Sequence, residues 1–219
     1  RANIGYNFQT QSKFIEPFKK MIKSKTKWFD LVKDFNFNLI PSQIMVRADI
    51  NRQMGRFIPR IVNTDITSTK VQRVDTTYDK FFTFDRMYTM RWDLSRSLNF
   101  DFNATNNARI DEPFGALDTK AKRDTVRSNF FDGGRNTNYS QKAIASYTVP
   151  FAKFPITEWI TGRYGYTTTY NWIGASLVQR LMGNTIENSQ ENNFTAQLDF
   201  TRLYSKSRLL RNLDIPNTP

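Results

Sequence analysis

Along much of the chain apolar and polar residues alternate one by one, most clearly between Phe82 and Thr105. The even positions are Phe82, Phe84, Arg86, Tyr88, Met90, Trp92 and Leu94, then, after Ser95-Arg96-Ser97, Leu98, Phe100, Phe102 and Ala104; all but Arg86 are apolar. The odd positions are Thr83, Asp85, Met87, Thr89, Arg91 and Asp93, then Asn99, Asp101, Asn103 and Thr105, and only Met87 is apolar. Successive side chains of a strand point to opposite faces, so a period of two makes one face apolar and the other wet, an order that a helix would scramble. The first run holds roughly thirteen residues; at about 3.3 Å each and a tilt near 45° it reaches about 30 Å, the depth of a bilayer's hydrocarbon core. Soluble strands are about half as long.

These runs predict a hairpin of a transmembrane β-barrel, turning at Ser95-Arg96-Ser97. Phe84, Tyr88, Trp92, Leu98, Phe100 and Phe102 are expected to face lipid, and Asp85, Arg91, Asp93, Asn99, Asp101 and Asn103 to line a hydrated lumen. Arg86 is the exception on the lipid face. At the midplane it would cost roughly 2–4 kcal/mol, so it is expected near the interface opposite the Ser95 turn.

The same pattern recurs elsewhere. Strands are expected at Ala2 to Phe8, at Trp28 to Ile40 and Gln43 to Arg52 as a hairpin around Pro41, at Tyr139 to Val149, at Gly162 to Gly174 and at Phe194 to Tyr204. Phe151 to Trp159 reads as a turn or one helical turn with an N-cap at Thr157, and Ala175 to Met182 as strand or short helix before the turn signal Gly183-Asn184. Long loops are expected near 11–27, with a short basic amphipathic helix, near 55–77 and near 106–138. The last of these, set against the tight turn at Ser95, suggests the long-loop, short-turn asymmetry of outer-membrane barrels. The fold class is therefore all-β: an antiparallel transmembrane barrel segment of about eight strands, one domain over residues 1–219. The tail from Ser205 reads as a linker and Arg1 is not an initiator Met, so a mature chain or a piece of a longer one is expected.

Composition refines this picture. No run approaches eighteen apolar residues, which excludes an ordinary transmembrane helix, and a mean hydropathy of −0.59 is compatible with a barrel that hides its apolar residues in alternation. Aromatic residues make up 15 %, with 19 Phe, 9 Tyr and 4 Trp, the ring types of interfacial girdles. The chain has no Cys and no His, so disulfides, thiolate metal sites and Ser-His or Cys-His catalysis are excluded. The net charge of +12 invites a nucleic-acid reading, but apart from Lys13 to Lys33 the positive charge is dispersed. Asp111 and Glu112, with Pro113 and Gly115 in the run Ile110 to Gly115, form a candidate functional loop. Adjacent carboxylates can serve acid/base work or a cation, though a turn or salt bridge accounts for them as well. Gly133-Gly134-Arg135 is read as hairpin turn chemistry. No enzyme activity, cofactor or metal is expected.

Several stretches, taken in order, carry a resemblance: YNF at Tyr6 to Phe8, DFNFNLIP at Asp34 to Pro41, RADINRQ at Arg47 to Gln53, and DLSRSLNFDFNATNNARIDEPFG at Asp93 to Gly115. KFPITEW at Lys153 to Trp159, RYGYTTTYNW at Arg163 to Trp172, GNTIENSQ at Gly183 to Gln190 and LYSKSRLLRNL from Leu203 complete it. The chain resembles the N-terminal part of the SprA/Sov family, the giant outer-membrane translocon of the type IX secretion system, associated with gliding motility. The resemblance implies a wall segment of a very large barrel in the bacterial outer membrane that exports folded client proteins. It further implies outer-membrane lipid, a small PorV-like partner barrel, a plug protein and the rest of the same barrel as partners, and no nucleic acid. Two other classes stay open: a self-contained small barrel acting as porin or adhesin, and a soluble basic β-rich nucleic-acid binder.

Overall fold

In the computed structural model, which describes residues 1–19, 30–59, 75–154, 156–178 and 180–206, long strands follow one another as a meander. They are β1 (Ala2–Gln9), β2 (Gln43–Phe57), β3 (Thr77–Asp93), β4 (Leu98–Arg109), β5 (Arg135–Val149), β6 (Ile160–Ile173) and β7 (Thr185–Leu198). Each pairs antiparallel with its neighbour in sequence, giving one seven-stranded sheet in the order β1-β2-β3-β4-β5-β6-β7. The sheet does not close: β1 and β7 are its edges. The protein is therefore all-β in class, with seven strands among the described residues where about eight were expected.

Both hairpin strands are longer than their alternation suggested. β3 has 17 residues and β4 has 12, joined by a turn in which the Ser95 side chain accepts hydrogen bonds from the Ser97 and Leu98 amides. The loop expected at 106–138 is corrected: β4 continues to Arg109, β5 begins at Arg135, and between them lies the helix α2 (Lys120–Phe131). Thr119 caps α2, its side chain accepting from the Lys122 amide. At the other end Gly133 and Gly134, at φ 82° and 73°, return amide hydrogen bonds to the Phe130 and Asn129 carbonyls. A Cβ at Gly134 would stand 2.7 Å from Ile110 Cδ1, so only glycine fits there. The Gly133-Gly134 pair is thus a helix C-terminus, not a hairpin turn.

The strand expected at Trp28 to Ile40, and its hairpin around Pro41, are also corrected. β2 pairs with β1 and β3 instead, and the described part of the stretch holds α1 (Asp30–Lys33) and a single bridge from Phe37 to Ile15. The alternating rings serve local packing, with Phe35 6.1 Å from Phe18 and 6.2 Å from Phe37. Phe200 to Tyr204, read as strand, belongs to the helix α3 (Phe200–Lys206), and β7 starts earlier, at Thr185. A single 3-10 turn occupies Phe151–Lys153; Thr157 caps no helix but donates its hydroxyl to the Phe151 carbonyl. Another 3-10 turn at Arg180–Met182 resolves the strand-or-helix ambiguity there.

Residues 11–19 carry no strand or helix beyond the Ile15 bridge, and the loop expected at 55–77 shortens, because β2 runs to Phe57 and β3 starts at Thr77. The rest of these two stretches, with most of the expected basic helix, and the tail beyond Lys206 lie outside the described residues. Connection lengths do not sort by side. The segment 10–42 leaves the same end of the sheet as the tight turn at 94–97, so the expected asymmetry is absent.

Candidate functional site

Pairing carries the alternation of each strand onto the next. Phe84 faces Ala108, Tyr88 faces Ala104, Met90 faces Phe102 and Trp92 faces Phe100, and directly paired residues project to the same side of a sheet. Val46 and Tyr6 extend this side through β2 and β1. Ala143, Ala145, Tyr164 and Tyr166 extend it through β5 and β6. All six residues expected to face lipid therefore share one side. Asp85, Arg91, Asp93, Asn99, Asp101 and Asn103 share the other.

The polar side is internally paired. Arg91 Nε lies 2.9 Å from Asp101 Oδ1, Asn107 donates to Asp85 at 2.7 Å, and Arg47 meets Asp49 at 2.8 Å. Ser12 donates to Asp93 at 2.7 Å, and Ser140 to Asn171 at 2.6 Å. The cations that strands bring to this side are thus interleaved with carboxylates and amides.

The apolar side is covered at both ends by the chain itself. At one end α2 lies over the sheet: Phe82, Ile110 and Val126 form the buried core, with Ile50, Phe84, Leu117 and Phe130 packed around it. The Phe130 ring stacks 5.5 Å from Phe84 and 6.0 Å from Phe82. At the other end Trp92 Nε1 donates to the carbonyl of Asn38, itself only 5 % exposed, while the Asn38 amide donates to Leu94 and the Asn36 side chain accepts from the Arg96 amide. Leu98 helps line a groove of about 480 Å³ there with Phe35, Phe37 and Tyr147. Phe84, Trp92 and Leu98 are thus shielded by the chain, whereas Tyr88 and Phe102 lie in the band between the two clasps and Phe100, paired with Trp92, lies at its edge.

Arg86, the charge that interrupts the apolar run of β3 between Phe84 and Tyr88, is engaged by the end of α2. Its Nη2 donates to the Gly133 carbonyl at 3.3 Å and to Asn136 Oδ1 at 3.0 Å, and its guanidinium lies over the Phe84 ring. α2 has no basic residue in its own last turn, and the strand supplies the cation that a helix C-terminus favours.

The candidate functional loop does not gather its carboxylates. Asp111 makes a two-pronged pair with Arg135 of β5 at 2.9 and 3.3 Å, and its carbonyl accepts from Asn129 of α2. Glu112, its side chain 4 % exposed, takes Arg52 of β2 at 2.6 Å, with Lys80 of β3 3.8 Å from its other oxygen; Lys80 also donates to the Pro113 carbonyl. Gly115, at φ 78°, turns the chain toward α2 and leaves Phe114 97 % exposed. Two diverging carboxylates, each engaged by its own cation, hold the connection against three strands and offer no shared acid/base centre.

Sequence reasoning missed the second clasp, built from Glu16, Asn36 and Asn38. Glu16 pairs with Lys19 and, at 2.6 Å, with Arg96, whose guanidinium also covers the Phe14 ring. The hydrogen bond from Lys19 is the largest influence on the Glu16 carboxyl and lowers it; burial opposes it, and the charges of Arg96 and Lys19 keep the net displacement below the ordinary range. The signal available was polar: Asn36 and Asn38 alternate with apolar neighbours as strand residues would, and only the fold shows that the Asn36 side chain takes the Arg96 amide while Asn38 joins the clasp through its backbone.

Among the described residues no group of three Asp or Glu is placed to hold a metal ion, and no helix is long and apolar enough to cross a membrane, which says nothing of a β-barrel. Compared with known proteins, the chain matches no family model and no curated protein.

Proposed function

We infer that this chain is a stretch of wall in a large outer-membrane β-barrel that conducts folded proteins and performs no chemistry of its own. The observation that carries the reading is strand length combined with face sorting. Six consecutive strands of 12 to 17 residues run up and down, each longer than the 9–11 that a tilted transmembrane strand needs, and one side stays predominantly apolar from β1 to β6. From Phe84 to Trp92 the band between the clasps measures about 26 Å along the strand, or about 20 Å of height at a tilt near 40°, close to the roughly 25 Å apolar belt of such barrels. Tyr88, Phe100 and Phe102 then meet lipid. Asp85, Arg91, Asp93, Asn99, Asp101 and Asn103 line a lumen whose mixed, paired charge discourages a passing client from sticking.

Two open sheet edges support membership in a larger barrel over a self-contained one, because an unpaired edge in lipid leaves its backbone groups unsatisfied. Type IX secretion, the folded clients, the partner barrel and the plug rest on the sequence resemblance to the SprA/Sov family. The interleaved charges of the polar side favour a pore wall over a nucleic-acid surface, which needs cations in a continuous track.

Membrane fractionation and native size test the reading. The chain is expected in the outer-membrane fraction within an assembly far larger than its own mass, and a water-soluble monomer would overturn it. The facing is tested by lumen-side thiol labelling: Asp101→Cys is expected to react and Phe100→Cys to stay protected, and equal labelling would overturn the assignment.

A further inference from the structure

We propose that the groove between α2 and the sheet seats an anionic, phosphate-bearing lipid, its acyl chain on the groove floor and its headgroup on Arg123 and Arg127. The groove has a volume of about 450 Å³; Phe82, Leu117, Val126 and Phe130 make it apolar, and Arg123 and Arg127 stand one helical turn apart at its rim. Arg52 also borders it but is already engaged by Glu112. Arg123 donates to the Thr119 carbonyl and Arg127 lies over the Phe131 ring, and among the described residues neither meets a carboxylate. Both side chains are exposed. Two guanidinium groups with spare donors, set beside a surface that water does not favour, match a ligand that is phosphate at one end and hydrocarbon at the other.

Position points the same way. α2 closes one end of the apolar band that meets lipid under the barrel reading, which puts its arginines near headgroup level and the apolar groove lining, Phe82 and Phe130, beside that band. A free phosphate would leave the apolar floor wet, and a neutral lipid would leave the arginines without a counter-charge. The inference rests on the barrel reading.

Native mass spectrometry of the full chain, released from dodecyl maltoside micelles doped with dioleoylphosphatidic acid, tests it. The chain is expected to retain one phosphatidic acid. Arg123→Gln with Arg127→Gln should lower retention about tenfold or more, whereas lysine at both positions should recover most of it. Lys142→Gln, on the polar side, should change nothing. Equal retention by the double glutamine variant, no recovery with lysine, equal retention of dioleoylphosphatidylcholine, or complete displacement by inorganic phosphate at millimolar concentration would each overturn the proposal. Fractionation separates the two readings. A chain that partitions with membrane yet retains no phosphatidic acid overturns the groove alone, and one that stays in the aqueous fraction overturns the barrel reading and the groove with it.

Discussion

The β3–β4 hairpin and the β7 edge are made by the same alternation and end in opposite situations. In the hairpin Phe82, Ala104 and Ala108 are buried, and the chain clasps the apolar side at both ends, with α2 at one and residues 34–38 at the other. In β7 every residue is exposed. Phe194, Ala196 and Leu198 fall on the apolar side through their pairing with Tyr164, Gly162 and Ile160, but Asn188, Gln190 and Asn192 fall there too. Alternation therefore tells which side of a strand is apolar, not what covers it. Under the barrel reading, three amides on the lipid-facing side of β7 need polypeptide over them, because hydrocarbon offers no hydrogen bonds.

The sharpest way to break this comparison is to cut one apolar side chain in each region. Ile110 is 1 % exposed and Phe194 is 58 % exposed. Ile110→Ala should cost roughly 2–4 kcal/mol, whereas Phe194→Ala should cost less than about 1 kcal/mol, read by denaturant unfolding of the chain in detergent. Equal costs would erase the distinction. A large Phe194 effect confined to the assembled membrane complex would sharpen it, by showing that another element seals β7 there.

Next in size is the loop that ties α2 down. Glu112→Ala leaves Arg52 and Lys80 without their shared carboxylate and should cost roughly 1–3 kcal/mol. Asp111→Ala breaks a pair whose side chains are 45 % and 31 % exposed and should cost under about 1 kcal/mol. A double-mutant cycle between Glu112 and Arg52 measures the coupling directly. An Asp111 effect exceeding that of Glu112 would contradict the burial on which the ranking stands.

These two residues also mark where the sequence was legible and where it was not. Strand identity was readable wherever a two-residue period met a long antiparallel partner, as in β3, β4, β5 and β6, because burial on one side is what the period records. It misled at Asp34 to Leu39, where the period is as clean but β1 and β2 already pair with each other and leave no slot for a third strand. α2 was invisible for a different reason: its residues are mostly polar, and only Val126 is buried, so no apolar stripe announces it. The carboxylates at 111 and 112 could be read as charged but not as divergent, since the direction of each depends on which strand brings its cation.

Arg86 offers a smaller effect at the junction of the clasp and the open band. Its guanidinium is the cation at the C-terminal end of α2, so Arg86→Gln should loosen that end by about 1 kcal/mol while the β3–β4 ladder holds. Hydrogen exchange at residues 131–134 should speed up by about fivefold, with residues 88–92 unchanged. Faster exchange throughout β3 would show that Arg86 supports the sheet and not the helix end.

The mildest probe addresses the other clasp through pH. The folded state holds the Glu16 carboxyl below its ordinary value because the ionised form accepts from Lys19 and faces Arg96. Between the depressed folded value and the ordinary one the unfolded chain binds more protons than the folded chain, so stability from this site rises with pH. The contribution is fully present above the ordinary carboxylate range and is lost as pH falls through the folded value. The protection factor for hydrogen exchange at residues 94–97, taken against the intrinsic rate at each pH, should accordingly fall on acidification below that range in the wild-type chain. Glu16→Gln should show the lower protection already at neutral pH and little further change in protection, while the α2 end of the same hairpin responds to neither. Identical pH profiles for the variant and the wild type would mean that Asn36 and Asn38, which do not titrate, hold the turn without Glu16.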